Sequence, residues 1–155
     1  MSLEVEKKYR ISNLPDEIYK VAGIEIRQGY LNPGKMGNEV RIRSKGSNYY
    51  LTVKGQGDIV REEVELEISK EHFNELWPMT EGARIEKIRY PIPWGDLTFE
   101  VDLFKGKLKG LQVVEVEFTD QLQASSFHQP DFFGEDLTTD ERYKNANLAL
   151  NGIPS

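Results

Sequence analysis

The sequence predicts a strand-dominated α+β protein, built as a closed eight-stranded antiparallel β-barrel with a few peripheral helices. Three observations carry that prediction. Most of the chain alternates apolar and polar residues with period two, the pattern of a strand whose side chains leave opposite faces. Turn-forming residues cut this pattern into eight segments. Eight antiparallel strands in 155 residues expose no edge if the sheet closes on itself.

The predicted strands are Leu3–Ile11, Ile24–Leu31, Glu39–Ser44, Tyr49–Lys54, Val60–Ile68, Ala83–Ile92, Leu97–Phe104 and Leu111–Thr119. Between them lie Asn32-Pro33-Gly34, Lys45-Gly46-Ser47, Gly55-Gln56-Gly57, Trp94-Gly95-Asp96 and the stretch Lys105–Gly110. Four helices are predicted. Pro15–Val21 is short and stops near Gly23; Lys70–Trp77 has Ser69 as N-cap and Pro78 as its stop; Asp120–Phe127 is the third. The last starts at Thr138, where Thr138-Thr139-Asp140-Glu141 has capping-box spacing, and runs to about Leu150 before Gly152. No repeat or linker interrupts the chain, so one domain over residues 1–155 is expected.

Composition narrows the function. A net charge of −6 argues against a nucleic-acid partner, which would need an excess of Lys and Arg. The absence of cysteine excludes disulfides, thiolate metal sites and thiol nucleophiles. The opening MSLEVEKKYR has no apolar signal region, and no apolar run reaches the ~18 residues of a membrane span. A cytoplasmic protein that uses no membrane is expected, with a homodimer left open.

The chemistry lies in same-sign charges at strand spacing. Residues i and i+2 of a strand share a face. Six such pairs occur: Glu4 and Glu6, Arg41 and Arg43, Glu63 and Glu65, Lys87 and Arg89, Glu100 and Asp102, Glu115 and Glu117. Lys8 continues the first row, Arg61 precedes the third, and Lys54 stands beside Thr52. A single pair is ordinarily a solvated face. Six are costly for that purpose, since like charges about 7 Å apart repel by roughly 0.6 kcal/mol even in water. Clustered carboxylates suit hard cations, and clustered Arg and Lys suit phosphate. Both kinds inside one barrel call for a metal-bound polyphosphate.

The ordered motifs resemble the CYTH domain, the triphosphate tunnel metalloenzymes. Glu4-Val5-Glu6-Lys7-Lys8 resembles the family's ExExK; Arg27-Gln28-Gly29-Tyr30-Leu31 its Q-G-Y-L strand; Val40-Arg41-Ile42-Arg43 its R-x-R; and Leu51-Thr52-Val53-Lys54-Gly55 its L-T-x-K-G. Arg61, Glu63 and Glu65, then Lys87-Ile88-Arg89, then Glu115-Val116-Glu117-Phe118 follow in the same order, and the match reaches Leu148 and Ala149. The resemblance implies an eight-stranded tunnel, Mg²⁺ or Mn²⁺, and a triphosphate-containing small molecule. It implies Glu4, Glu6, Glu115 and Glu117 as metal ligands. Lys8, Arg41, Arg43, Lys54, Lys87 and Arg89 would hold the phosphate oxygens, with Glu63 and Glu65 either orienting them or serving a second metal. Glu4, Glu6, Lys8 and Lys87 would carry the catalysis. Asp102 and Glu100 would pair with neighbouring basic residues. By their place on the last helix, Arg142 and Lys144 either plug one tunnel mouth or are simply solvated.

The implied reaction is hydrolysis of inorganic triphosphate, by in-line attack of water on a terminal phosphorus while the equatorial oxygens are neutralised. The alternatives are a class IV adenylate cyclase, a thiamine triphosphatase, a non-catalytic polyphosphate-binding module, and a barrel carrying apolar ligands with its charges outside. Other residues read as structural. His72 and His128 belong to a helix and a loop, Phe73, Leu76 and Trp77 to the core, and Gly55-Gln56-Gly57 to a hairpin.

Overall fold

The computed structural model describes residues 2–155. Its strands are β1 (Ser2–Ile11), β2 (Ile24–Tyr30), β3 (Glu39–Lys45), β4 (Asn48–Lys54), β5 (Val60–Ile68), β6 (Arg84–Trp94), β7 (Leu97–Phe104), β8 (Gln112–Phe118) and β9 (Phe133–Asp136). All eight predicted strands form. They pair antiparallel in the order β5-β4-β3-β2-β6-β7-β8-β1, and β5 pairs back onto β1 to close the barrel. The hairpin glycines Gly46 and Gly95 adopt φ of 59° and 60°, the left-handed conformation tight turns require and side chains with a Cβ resist.

The ninth strand, β9, is absent from the sequence reading. It pairs with Tyr9–Ile11, on the edge of β1 that β5 leaves after Val5. Residues 6–8 lie in the seam between these partners. There Glu6 donates its N–H to the Ile59 carbonyl at 2.9 Å, Leu137 donates to the Lys8 carbonyl at 2.8 Å, and the Lys8 N–H donates to Thr138 Oγ1 at 3.1 Å. Glu6 and Lys8 are thus fixed by backbone bonds to loops on both sides.

Most of the apolar core lies outside the barrel wall. Val5, Tyr9, Phe99, Val101, Val114, Val116 and Phe118 form its wall side, and Phe127, Phe132 and Phe133 cover them beside helix α2 (Gln121–Ser125). Helix α1 (Lys70–Leu76) buries Phe73, which stacks on Trp77 at 5.1 Å between ring centres. A second apolar cluster plugs one end of the interior. The face that carries Lys87 continues to Ile85, that of Asp102 to Phe104, and that of Glu115 to Val113 and Leu111. Leu148 and Ala149 of helix α3 (Asn145–Asn151) pack onto them. The interior is therefore a charged cup with an apolar floor, which the uniform charged face expected from sequence did not include.

The helical segments are shorter than predicted. Residues 16–20 form a 3₁₀ turn, and α1 passes into a 3₁₀ turn over Trp77–Thr80. Ser69 caps α1 by accepting the His72 N–H, as its position predicted. The expected helix from Thr138 to Leu150 is broken into a 3₁₀ turn at Glu141–Tyr143 and α3, because Lys144 is extended at ψ 138°. The capping box does not form there. Asp140 caps the turn by accepting the Arg142 N–H, and the Thr138 hydroxyl serves β1 instead.

Candidate active site

Each residue nominated from sequence for metal, phosphate or catalysis lines one cavity of about 260 Å³ inside the barrel. β1 supplies Glu4, Glu6 and Lys8; β3 supplies Arg41 and Arg43; β4 supplies Lys54; β5 supplies Glu63 and Glu65; β6 supplies Lys87 and Arg89; β8 supplies Glu115 and Glu117. Strand alternation does the aiming, since each pair spans i and i+2 and projects inward while its neighbours pack outside.

The cations and acids interlock. Asp102 is fully buried; its Oδ1 accepts from Arg89 Nε at 2.8 Å, and its Oδ2 accepts from Lys87 Nζ at 2.7 Å and Arg89 Nη2 at 2.8 Å. Arg89 also donates to Glu115 Oε1 at 3.0 Å and to Glu100 at 3.2 Å. Asp102 and Glu100 therefore pair with basic neighbours, as expected. Lys54 donates to both oxygens of Glu4, at 2.9 and 3.0 Å, and lies 3.5 Å from Glu63. Arg43 lies 3.5 Å from Glu65. Lys8 donates to the Tyr143 carbonyl at 2.9 Å and approaches Glu115 at 3.6 Å.

Arg41 differs in having no ion-pair partner among the described residues. It is 6% exposed, lies beside the Tyr30 hydroxyl, and like Arg43 leaves its Nε unpaired. The acids that act on it are engaged elsewhere: Glu39 with Arg61 at 3.4 Å, and Glu4 with Lys54.

Proton affinities mark where charge is uncompensated. Burial, followed by the nearby Glu115 and Glu4 carboxylates, pushes Glu6 up to about 8. Burial and Glu4 also raise Glu117, which sits directly across from Glu6 in the β1–β8 ladder. Burial works against the charge on Glu115 too, yet Arg89 and Lys8 hold it well below the usual carboxylate range. Lys87 is lowered to about 8 by burial and the adjacent Arg89, against the pull of Asp102.

The donor set fits a hard divalent cation. Glu4, Glu6, Glu115 and Glu117 offer only oxygen, two of them stand opposite one another in the ladder, and Glu115 Oε2 is buried without a hydrogen-bond partner. Among the described residues no three acidic or histidine side chains already form an assembled cation site. Glu4 is instead paired with Lys54, and Glu115 with Lys8 and Arg89, while among the described residues Glu6 and Glu117 have no ion-pair partner.

Sequence reasoning missed other lining residues, among them Gln28, Glu39, Lys45 and Asp58. Glu39 and Lys45 continue the inward row of Arg41 and Arg43 by two residues at each end, so the same spacing rule could have found them. Gln28 carries no charge, and no charge-based rule finds it. Lys144 reaches the cavity, donating to the Gly57 carbonyl at 3.0 Å and pairing with Asp58 at 3.0 Å. Arg142 does not; it is exposed and pairs with Asp140. His72 and His128 are exposed, and Gly55-Gln56-Gly57 joins β4 to β5.

A closed antiparallel barrel whose interior sets Lys and Arg side chains against carboxylates, above an apolar floor, defines a cavity for a polyanion. The chain belongs to the CYTH domain family, whose model matches residues 2–149. It is 43% identical to the inorganic triphosphatase of Nitrosomonas europaea over 149 residues, covering 95% of this chain and 97% of that one. It is 39% identical to the inorganic triphosphatase of Acetivibrio thermocellus over 155 residues, covering 97% and 96%. The crystal structure of the inorganic triphosphatase NE1496 superposes with a TM-score of 0.73 at 40% identity, covering 100% of this chain and 99% of that one. A putative adenylyl cyclase from Hippeastrum, 16% identical with a TM-score of 0.59 over 79% of this chain, shares the fold. The family's tunnel chemistry depends on a divalent metal. Among the described residues no helix is long and apolar enough to cross a membrane.

Proposed function

We propose that this protein hydrolyses inorganic triphosphate to pyrophosphate and orthophosphate, with Mg²⁺ or Mn²⁺. The observation that carries the reading is the convergence of Lys8, Arg41, Arg43, Lys54, Lys87 and Arg89 on one cavity that also holds Glu4, Glu6, Glu115 and Glu117. Two relatives aligned over nearly the whole chain are inorganic triphosphatases, which supports the same substrate.

In this mechanism the six cations hold the phosphate oxygens, and those held rigidly stabilise charge as it develops on the equatorial oxygens. Arg89 is fixed by Asp102, Glu100 and Glu115, so it loses little entropy on contacting phosphate. Lys54 and Lys8 exchange carboxylate partners for phosphate oxygens, which frees Glu4 and the Oε2 of Glu115, whose Oε1 stays on Arg89. Those two, with Glu6 and Glu117, would hold the divalent cation, which when bound supplies Lewis-acid neutralisation of the phosphoryl oxygens. Glu63 and Glu65 orient Lys54 and Arg43. Lys87, Lys8, Glu4 and Glu6 stand closest to the chemistry in this assignment.

The cavity lining favours a bare triphosphate over a nucleotide. It is almost wholly polar, with Tyr143 as its aromatic residue and Leu137 as its large aliphatic one. A base or thiazole ring finds little to stack on. Initial rates at equal Mg²⁺ are expected to rank inorganic triphosphate above ATP and thiamine triphosphate in kcat/KM. Pyrophosphate, which leaves one phosphate subsite empty, should rank last. ATP turned over at least as well as triphosphate would count against this reading. The same reading has one domain over 1–155 acting in the cytoplasm without nucleic acid or membrane. An uncovered apolar stripe on the outer wall, Leu3, Val64 and Leu66, supports a homodimer.

A further inference from the structure

Gln28 lies in β2 between Ile26 and Tyr30 on the inward face, has none of its surface exposed, and lines the cavity. Its Nε2 donates to the Tyr30 hydroxyl at 2.6 Å, and its Oε1 is buried with no hydrogen-bond partner. Hydrogen-bond accounting exposes a conflict in that arrangement. An amide has two N–H donors and a carbonyl acceptor, and a phenol has one proton to give. Tyr30 is buried, and its proton is bound more tightly than in water, chiefly through burial. That proton needs an acceptor, yet Gln28 presents Nε2 to it, and the adjacent Arg41 guanidinium has only donors. A carbonyl without a donor and a phenol proton without an acceptor therefore sit side by side, and each is costly because burial removes the hydrogen bond water would supply.

A half-turn of the amide removes both faults. The Tyr30 O–H then donates to Gln28 Oε1, and the amide nitrogen takes the place of the orphaned oxygen. Gln28 is among the residues lining the cavity and Tyr30 is not, so we assign the amide atom away from Tyr30, buried behind the cavity surface, to the cavity side. Two N–H groups there require an acceptor, and a phosphate oxygen supplies it. Resting on the triphosphatase reading above, we propose that Gln28 is a neutral hydrogen-bond donor of the triphosphate cradle, oriented by the Tyr30 hydroxyl. It adds a directional contact without adding another positive charge beside Arg43, whose proton affinity burial and the neighbouring Arg41 and Arg89 already lower.

The test uses steady-state kinetics on inorganic triphosphate with Mg²⁺, alongside thermal melting. Gln28→Met fills nearly the same volume and removes the donor. It is expected to raise KM by about 10- to 100-fold, the range for a hydrogen bond to a charged group, with kcat within about threefold. Gln28→Glu keeps an acceptor for the Tyr30 proton and replaces the donor with an anion. A merely structural glutamine would be rescued by this change, whereas a phosphate donor would not, so KM should rise further still. The Glu variant also decides the matter if the Met variant melts below assay temperature. Wild-type KM in either folded variant overturns the assignment of Gln28. A wild-type protein that leaves triphosphate intact overturns the function on which it rests.

Discussion

Glu6→Gln is expected to lower kcat/KM for inorganic triphosphate by at least about 10²-fold while leaving the barrel folded, and Glu4→Gln should behave alike. The magnitude follows if losing one metal ligand costs as much transition-state stabilisation as losing one oxyanion-hole donor, about 10²–10³ in other enzymes. Folding should survive because Glu6 is a burden on the empty protein. It faces Glu117 across the ladder and lies in the field of Glu115 and Glu4, so an isosteric neutral amide relieves repulsion. The melting temperature of ligand-free Glu6→Gln should equal or exceed that of wild type, and circular dichroism should be unchanged. Chelation of divalent metal should reproduce the loss in the wild type, and Mg²⁺ or Mn²⁺ should restore it. Full activity in excess chelator would remove Glu4, Glu6, Glu115 and Glu117 from the metal assignment together.

Arg41→Ala is expected to abolish the stabilisation of the protein by triphosphate and metal. A ligand present at 100 times its Kd stabilises the native state by about 2.7 kcal/mol. For a chain of this size each kcal/mol moves Tm by about 2–4 °C, so wild type should gain about 5–11 °C. Arg41 has no carboxylate of its own, because Glu39 and Glu4 are committed to Arg61 and Lys54, whereas Arg43 keeps Glu65. Its removal should erase most of that gain and scarcely move the Tm of the empty protein. A large fall in ligand-free stability would instead make Arg41 a structural partner of Glu39 and Glu4.

The sequence made the barrel legible because its rule is local. Alternation at Glu4-Val5-Glu6 or Val114-Glu115-Val116-Glu117 states which residues share a face, and closure follows from counting strands. The site was legible for the same reason, since the charges that define it are the inward members of those strands. What escaped depended on longer-range partners. Residues Phe133–Asp136 become a strand only because β5 leaves the edge of β1 free beyond Val5. The helix expected from Thr138 fails because the Thr138 hydroxyl bonds Lys8 and the extended Lys144 reaches Gly57 and Asp58. Neither contact has a sequence periodicity. The apolar floor was hidden because Ile85, Phe104 and Val113 look like ordinary core residues until α3 is seen to pack on them at one end of the barrel. Gln28 was hidden because its importance rests on an unpaired atom, which only coordinates reveal.

The most direct measurement is a ³¹P NMR time course of the protein with inorganic triphosphate and Mg²⁺, run beside an identical sample with ATP. The account predicts that triphosphate resonances give way to pyrophosphate and orthophosphate in equal amounts, that the pyrophosphate then persists, and that ATP changes far more slowly. Triphosphate left intact while ATP yields cyclic AMP and pyrophosphate would contradict it.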